Sequence, residues 1–95
     1  MNRVLRLAPR YLRDAGRLSV VPNSARGRAV GRLVAGLRVE ETLPGPGDVL
    51  ALIPPTREAF VRRVPARNLW VWYMPHDGEV VIIALTADPP VPFGG

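Results

Sequence analysis

Phe60-Val61-Arg62-Arg63-Val64, Leu69-Trp70-Val71-Trp72-Tyr73-Met74 and Val80-Val81-Ile82-Ile83-Ala84-Leu85-Thr86 are the stretches that decide the fold. Each is short, rich in β-branched and aromatic residues, and bounded by turn formers, the pattern of consecutive strands. The last two are joined by Pro75-His76-Asp77-Gly78. Asp-Gly between two apolar runs is a strong hairpin signal, because Gly takes the positive φ that a tight hairpin turn requires. Side chains alternate along a strand, so Trp70 and Trp72 share one face while Leu69, Val71 and Tyr73 share the other. By the same rule Arg62 and Arg63 point to opposite faces.

Upstream, Val4–Leu7 reads as a short strand of mixed apolar and basic residues. Ala8-Pro9 follows, and proline suits the first turn of a helix, where its missing N–H costs nothing. Tyr11, Leu12, Ala15 and Leu18 then mark one helical face, with the helix ending near Ser19. Ser24 is an N-cap candidate for a second helix, Ser24–Glu40. There Val30, Leu33, Val34 and Leu37 form an i, i+3, i+4, i+7 stripe, with Arg28 and Arg32 on the far side. Gly27, Gly31 and Gly36 lower its propensity and suggest close packing against the first helix. Leu43-Pro44-Gly45-Pro46-Gly47-Asp48 reads as a loop. Val49–Ile53 is a continuous apolar run, expected as a strand buried on both faces and ended by Pro54-Pro55-Thr56. The expected class is α+β with order β-α-α-β-β-β-β, the two N-terminal helices packed on a small, mostly antiparallel twisted sheet. Residues 1–88 form one domain. Residues 89–95, rich in Pro and Gly, form a tail that is either loose or laid over the body as a strap.

The chain has 95 residues, 47% of them hydrophobic, enough for one core. It lacks cysteine, which excludes disulfides, thiol catalysis and thiolate zinc sites. With one histidine and scattered carboxylates, no metal-ligand spacing is present and no metal or cofactor is expected. No apolar run approaches the length of a membrane span and no signal peptide is visible, so a cytoplasmic protein without a membrane partner is expected. Every one of its 13 basic residues is arginine. Residues 1–38 carry nine arginines against one acid (+8), and the remainder four against seven (−3), giving the net +5. So uneven a surface favours nucleic acid or an acidic partner.

In order and length the chain resembles the RelE/ParE superfamily of toxins from type II toxin–antitoxin systems. Three stretches carry the likeness. Arg3-Val4-Leu5-Arg6-Leu7-Ala8-Pro9-Arg10-Tyr11-Leu12-Arg13-Asp14 is similar to the opening strand and helix. Phe60–Val64 followed by Arg67-Asn68-Leu69-Trp70-Val71-Trp72-Tyr73 is similar to the basic strand and the "Arg-x-Leu-x-x-x-Tyr" strand. Asp77–Leu85 resembles the closing hairpin strand. The likeness implies an acidic antitoxin as partner. It also implies one of two activities, ribosome-associated mRNA cleavage (RelE-like) or non-enzymatic poisoning of DNA gyrase (ParE-like).

In RNA cleavage a 2′-hydroxyl attacks the adjacent phosphate, so a base must take its proton and cations must stabilise the phosphorane. The resemblance places Arg63 and Arg67 in the catalytic positions; Arg57, in a loop beside the basic strand, and Arg62 are the substrate-binding candidates beside them. Trp70 stands where RelE-like members carry arginine. Ala87-Asp88-Pro89-Pro90 stands where an arginine and later a tyrosine are expected. His76 reads as an exposed turn residue, Glu58 and Asp88 as solvated acids, and the two tryptophans as core or as base-stacking groups. A small basic module that only binds nucleic acid is the remaining alternative.

Overall fold

The computed structural model describes residues 2–53 and 57–90. Pro54-Pro55-Thr56 and residues 91–95 of the tail, for which sequence reading offered a break and a strap, lie outside the described residues. The fold is α+β, with two helices and a five-stranded mixed sheet. The elements are β1 (Val4–Leu7), α1 (Pro9–Arg17), α2 (Ala25–Val39), β2 (Val49–Ile53), β3 (Arg57–Arg63), β4 (Trp70–His76) and β5 (Glu79–Thr86). Across the sheet the strands run β1-β5-β4-β3-β2. The β1–β5 pair is parallel and the others are antiparallel.

The β4–β5 hairpin forms as its turn residues dictate. His76 pairs with Glu79, and Asp77 and Gly78 between them take φ of +37° and +77°. Positive φ at both central residues matches the right-handed twist of the flanking strands. Farther up the hairpin, Trp72 opposes Ala84 while Tyr73 opposes Ile82, so Ile83 is an extra residue that bends β5.

One face of the sheet receives α2. Val30, Leu33, Val34 and Leu37 pack there with Val64, Leu69, Val71, Tyr73, Val80, Ile82 and Leu85. The helix is capped at its start by Ser24, whose hydroxyl accepts the Gly27 N–H at 2.9 Å. Of the glycines read as packing surfaces, Gly31 faces open space and a Cβ at Gly36 would meet only the Glu40 carboxylate, at 3.7 Å. Gly27 is crowded, but by the Val21 carbonyl of the inter-helix loop, 1.7 Å from where a Cβ would sit.

Two expectations change. In α1, Leu12 is exposed at 56% and Asp14 takes the buried place between Tyr11 and Leu18. Its carboxylate accepts the backbone N–H of Leu85 at 3.1 Å and so fastens α1 beside β5. A buried N–H left unpaired costs about 1–3 kcal/mol, which gives a carboxylate there a reason. β2, expected to be buried on both sides, is an edge strand with Val49 and Leu52 exposed. A continuous apolar run does not distinguish the two arrangements.

Candidate anion-binding face

The face of the sheet opposite α2 is concave. Ala51, Ile53, Ala59, Val61, Trp72, Ile83 and Ala84 are buried there. Arg10 of α1 and Ile53 of β2 line the same two cavities although β5, β4 and β3 lie between their elements, so the sheet curves across this face. One cavity, about 440 Å³, is lined by Arg10, Arg17, Ile53, Trp72, Thr86 and Asp88 among others, and its far wall includes Pro89 and Pro90. The other, about 330 Å³, is lined by Ala8, Pro9, Arg10, Arg13, Ile53, Arg57 and Ile83. The floor is aliphatic and the rim cationic.

Three of the rim arginines come from α1. Positions 10, 13 and 17 fall at i, i+3 and i+7, one stripe of the helix. Asp14 sits beside that stripe and meets Arg10 Nε at 3.5 Å and Arg17 Nη2 at 3.2 Å. It therefore braces two of the rim cations, while Oδ2, the oxygen facing Arg10, also accepts the Leu85 N–H and holds β5. Arg57, expected in a loop, is the first residue of β3 and pairs with Ile53. Alternation along β3 puts Arg57, Ala59, Val61 and Arg63 on this concave face. Arg57 and Arg63 stand at its two ends, about 20 Å apart at ~3.3 Å per residue. The side chains of Arg13 and Arg57 make no hydrogen bond or ion pair within the described residues.

The four site residues expected from sequence do not form one cluster. Arg63 is exposed, and its Nε donates to the Arg67 carbonyl at 2.9 Å, so Arg63 and Arg67 are neighbours at the β3–β4 turn. Arg57 is at the other end of the strand. Arg62, expected to bind substrate, is on the α2 face and is occupied. Its Nε and Nη2 donate to Asp48 at 2.6 and 2.7 Å, and its remaining N–H groups reach both oxygens of Glu40. The Asp48 side chain is fully buried, and its Oδ2 also accepts from the Tyr73 hydroxyl and from Gly45 N–H at 2.9 Å. Burial pushes the Asp48 carboxyl up, but the hydrogen bonds from Arg62, Tyr73 and Gly45 outweigh it and hold the group below its ordinary value. Burial, then the bond to Asp48, push the Tyr73 phenol well above its ordinary value. This phenol is a structural donor and not an acid or base for chemistry on the opposite face.

Trp70 and Trp72 divide in use. Trp72 is 3% exposed and its Nε1 donates to Thr86 Oγ1 at 3.0 Å. Trp70 is only half-buried, with the Arg63 guanidinium over its ring, 5.8 Å from the centroid. His76 is exposed in the hairpin beside Asp77 at 3.7 Å. Among the described residues that line the two cavities, Asp88 carries the one carboxylate. No three described residues of metal-ligating type come together. No helix among the described residues is long and apolar enough to cross a membrane.

No protein family, curated protein or solved structure matches this chain.

Proposed function

We propose that this chain is the toxin component of a type II toxin–antitoxin system, RelE-like, and that its concave sheet face takes single-stranded RNA. The observation that carries the reading is the gathering of Arg10, Arg13, Arg17, Arg57 and Arg63 around one curved, aliphatic-floored face. Guanidinium groups grip phosphate with two parallel bonds, and a row of them about 20 Å long tracks a single-stranded backbone. The strand–helix–helix order and the basic β3 carry the likeness to RelE/ParE toxins, with the finer topology of that family assigned on the same basis. An acidic antitoxin segment would cover the same rim and neutralise it.

The proton-transfer role falls to Asp88, whose exposed carboxylate shares a cavity with Arg10 and Arg17. In this reading it takes the proton of the attacking 2′-hydroxyl. The arginines stabilise the phosphorane, the bond to the 5′-oxygen breaks, and that oxygen is protonated by water, leaving a 2′,3′-cyclic phosphate. A second reading, ParE-like inhibition of gyrase without cleavage, is favoured by one observation. Neither tyrosine serves this face, since Tyr11 and Tyr73 are both in the core beneath α2.

Induction of the chain alone in a bacterial host separates the readings. Arrested translation with cut messages, lost in Asp88→Asn, supports the first. Filamentation with a DNA-damage response, indifferent to Asp88→Asn, supports the second. Normal growth contradicts both.

A further inference from the structure

We propose that Arg63 and Trp70 together form a stacking subsite for one unpaired nucleobase at one end of the concave face. The inference rests on the reading that this face takes single-stranded RNA. The Arg63 guanidinium is fixed from three directions. Its Nε donates to the Arg67 carbonyl at 2.9 Å, its Nη2 reaches Asn68 Oδ1 at 3.5 Å, and its Cζ lies over the Trp70 ring, 5.8 Å from the centroid. The turn that presents the Arg67 carbonyl is itself closed by Val64 N–H to Leu69 O at 2.8 Å and Arg67 N–H to Val64 O at 3.2 Å. Ala66 adopts φ of +62° within it.

One edge of the guanidinium is therefore committed to the turn, and the group sits over the indole while the residue stays exposed. A planar, weakly hydrated cation laid on an aromatic ring is a surface on which bases stack. A base placed there meets the guanidinium and the indole together. Arg13 and Arg57 have no comparable bracing, which suits them to backbone phosphate. Trp72 is 3% exposed and its indole N–H is taken by Thr86, so it offers a cavity wall and no stacking face. The face therefore offers one base site and a cationic track. The two adjoin, because Trp70 pairs across the hairpin with Thr86, which lines the cavity holding Arg17 and Asp88.

The test is binding of a labelled RNA tetranucleotide, its fully abasic counterpart, and inorganic polyphosphate as a base-free polyanion, all at one salt concentration. The wild-type chain should bind the intact RNA about tenfold more tightly than the abasic one. Trp70→Leu removes the aromatic layer, and Arg63→Lys keeps the charge but loses the plane. Each should cut that preference to about twofold or less, with polyphosphate affinity in Trp70→Leu unchanged because the indole carries no charge. Should Trp70→Leu fail to fold, the surface change Arg63→Lys carries the test. Equal binding of intact and abasic RNA by the wild type, or a preference that survives both substitutions, overturns the subsite and leaves the RNA reading standing. Failure of both oligonucleotides to bind overturns the two together.

Discussion

Arg62 and Arg63 are adjacent in sequence and opposite in circumstance. Arg62 lies against α2 with two carboxylates and a tyrosine built around it. Arg63 lies on the concave face with one carbonyl, one amide oxygen and an indole around it, and no ion pair to an acid among the described residues. The pleat alone separates them. A buried cation must be matched by charge, so the first spends its bonds on the loop from Glu40 to Asp48. The second has no acid bonded to it among the described residues. Charge that holds the fold and charge left unmatched are thus distinguished by what the neighbouring loop supplies.

The largest test of this contrast is stability. Arg62→Met strands Asp48, whose side chain has no exposure, and should cost about 3 kcal/mol or more. For a chain of this size that is a fall in Tm of about 15 °C, read by circular dichroism. Arg63→Met should change stability by about 0.5 kcal/mol or less. Comparable losses for the two would erase the distinction.

The reverse ordering should hold for binding. Removing Arg13, Arg17 and Arg57 together, as glutamines, should lower the slope of log affinity against log salt for single-stranded RNA by about 2, at ~0.7 per phosphate contact. Arg28→Gln and Arg38→Gln, on α2, should leave the slope within error in the same titration.

Asp14 lies on the boundary between the two kinds of charge. Asp14→Ala leaves the Leu85 N–H without its acceptor and should cost about 1–3 kcal/mol. Asp14→Asn keeps an acceptor for that N–H, so most of the stability should return while Arg10 and Arg17 lose their counter-charge. Thermal melts with parallel RNA titrations separate the two effects.

The smallest effect is the pH dependence. The Asp48 carboxyl is held below its ordinary value of 3.8 in the folded chain. Its contribution is therefore complete above about pH 4 and shrinks as pH falls through the folded value. The Tyr73 phenol is shifted the other way from 10.0, so its contribution is complete below about pH 10 and shrinks as pH rises beyond it. Urea midpoints measured from pH 2 to 11 should fall at both ends, and Arg62→Met should flatten the acid limb.

Much of the fold was legible. The stripe of Val30, Leu33, Val34 and Leu37 fixed the buried side of α2, and Asp77-Gly78 marked the hairpin turn within a residue. Leu12 fell on the expected apolar stripe and Asp14 did not, because apolar spacing gives no weight to a carboxylate that meets a distant backbone N–H. The locking of Arg62 was hidden for a similar reason, since Glu40 and Asp48 are 22 and 14 residues away. The Arg10, Arg13, Arg17 row was available as an i, i+3, i+7 stripe. It was counted as part of a general positive balance because only the curve of the sheet brings α1 opposite Arg57.

The most direct test is a titration of the ¹⁵N-labelled chain with a short single-stranded RNA, following the arginine Nε–H resonances. Shifts at Arg10, Arg13, Arg17, Arg57 and Arg63, with Arg62 and the α2 arginines still, are the predicted result. Shifts concentrated at Arg28, Arg32 and Arg38, with the concave face unmoved, would contradict it.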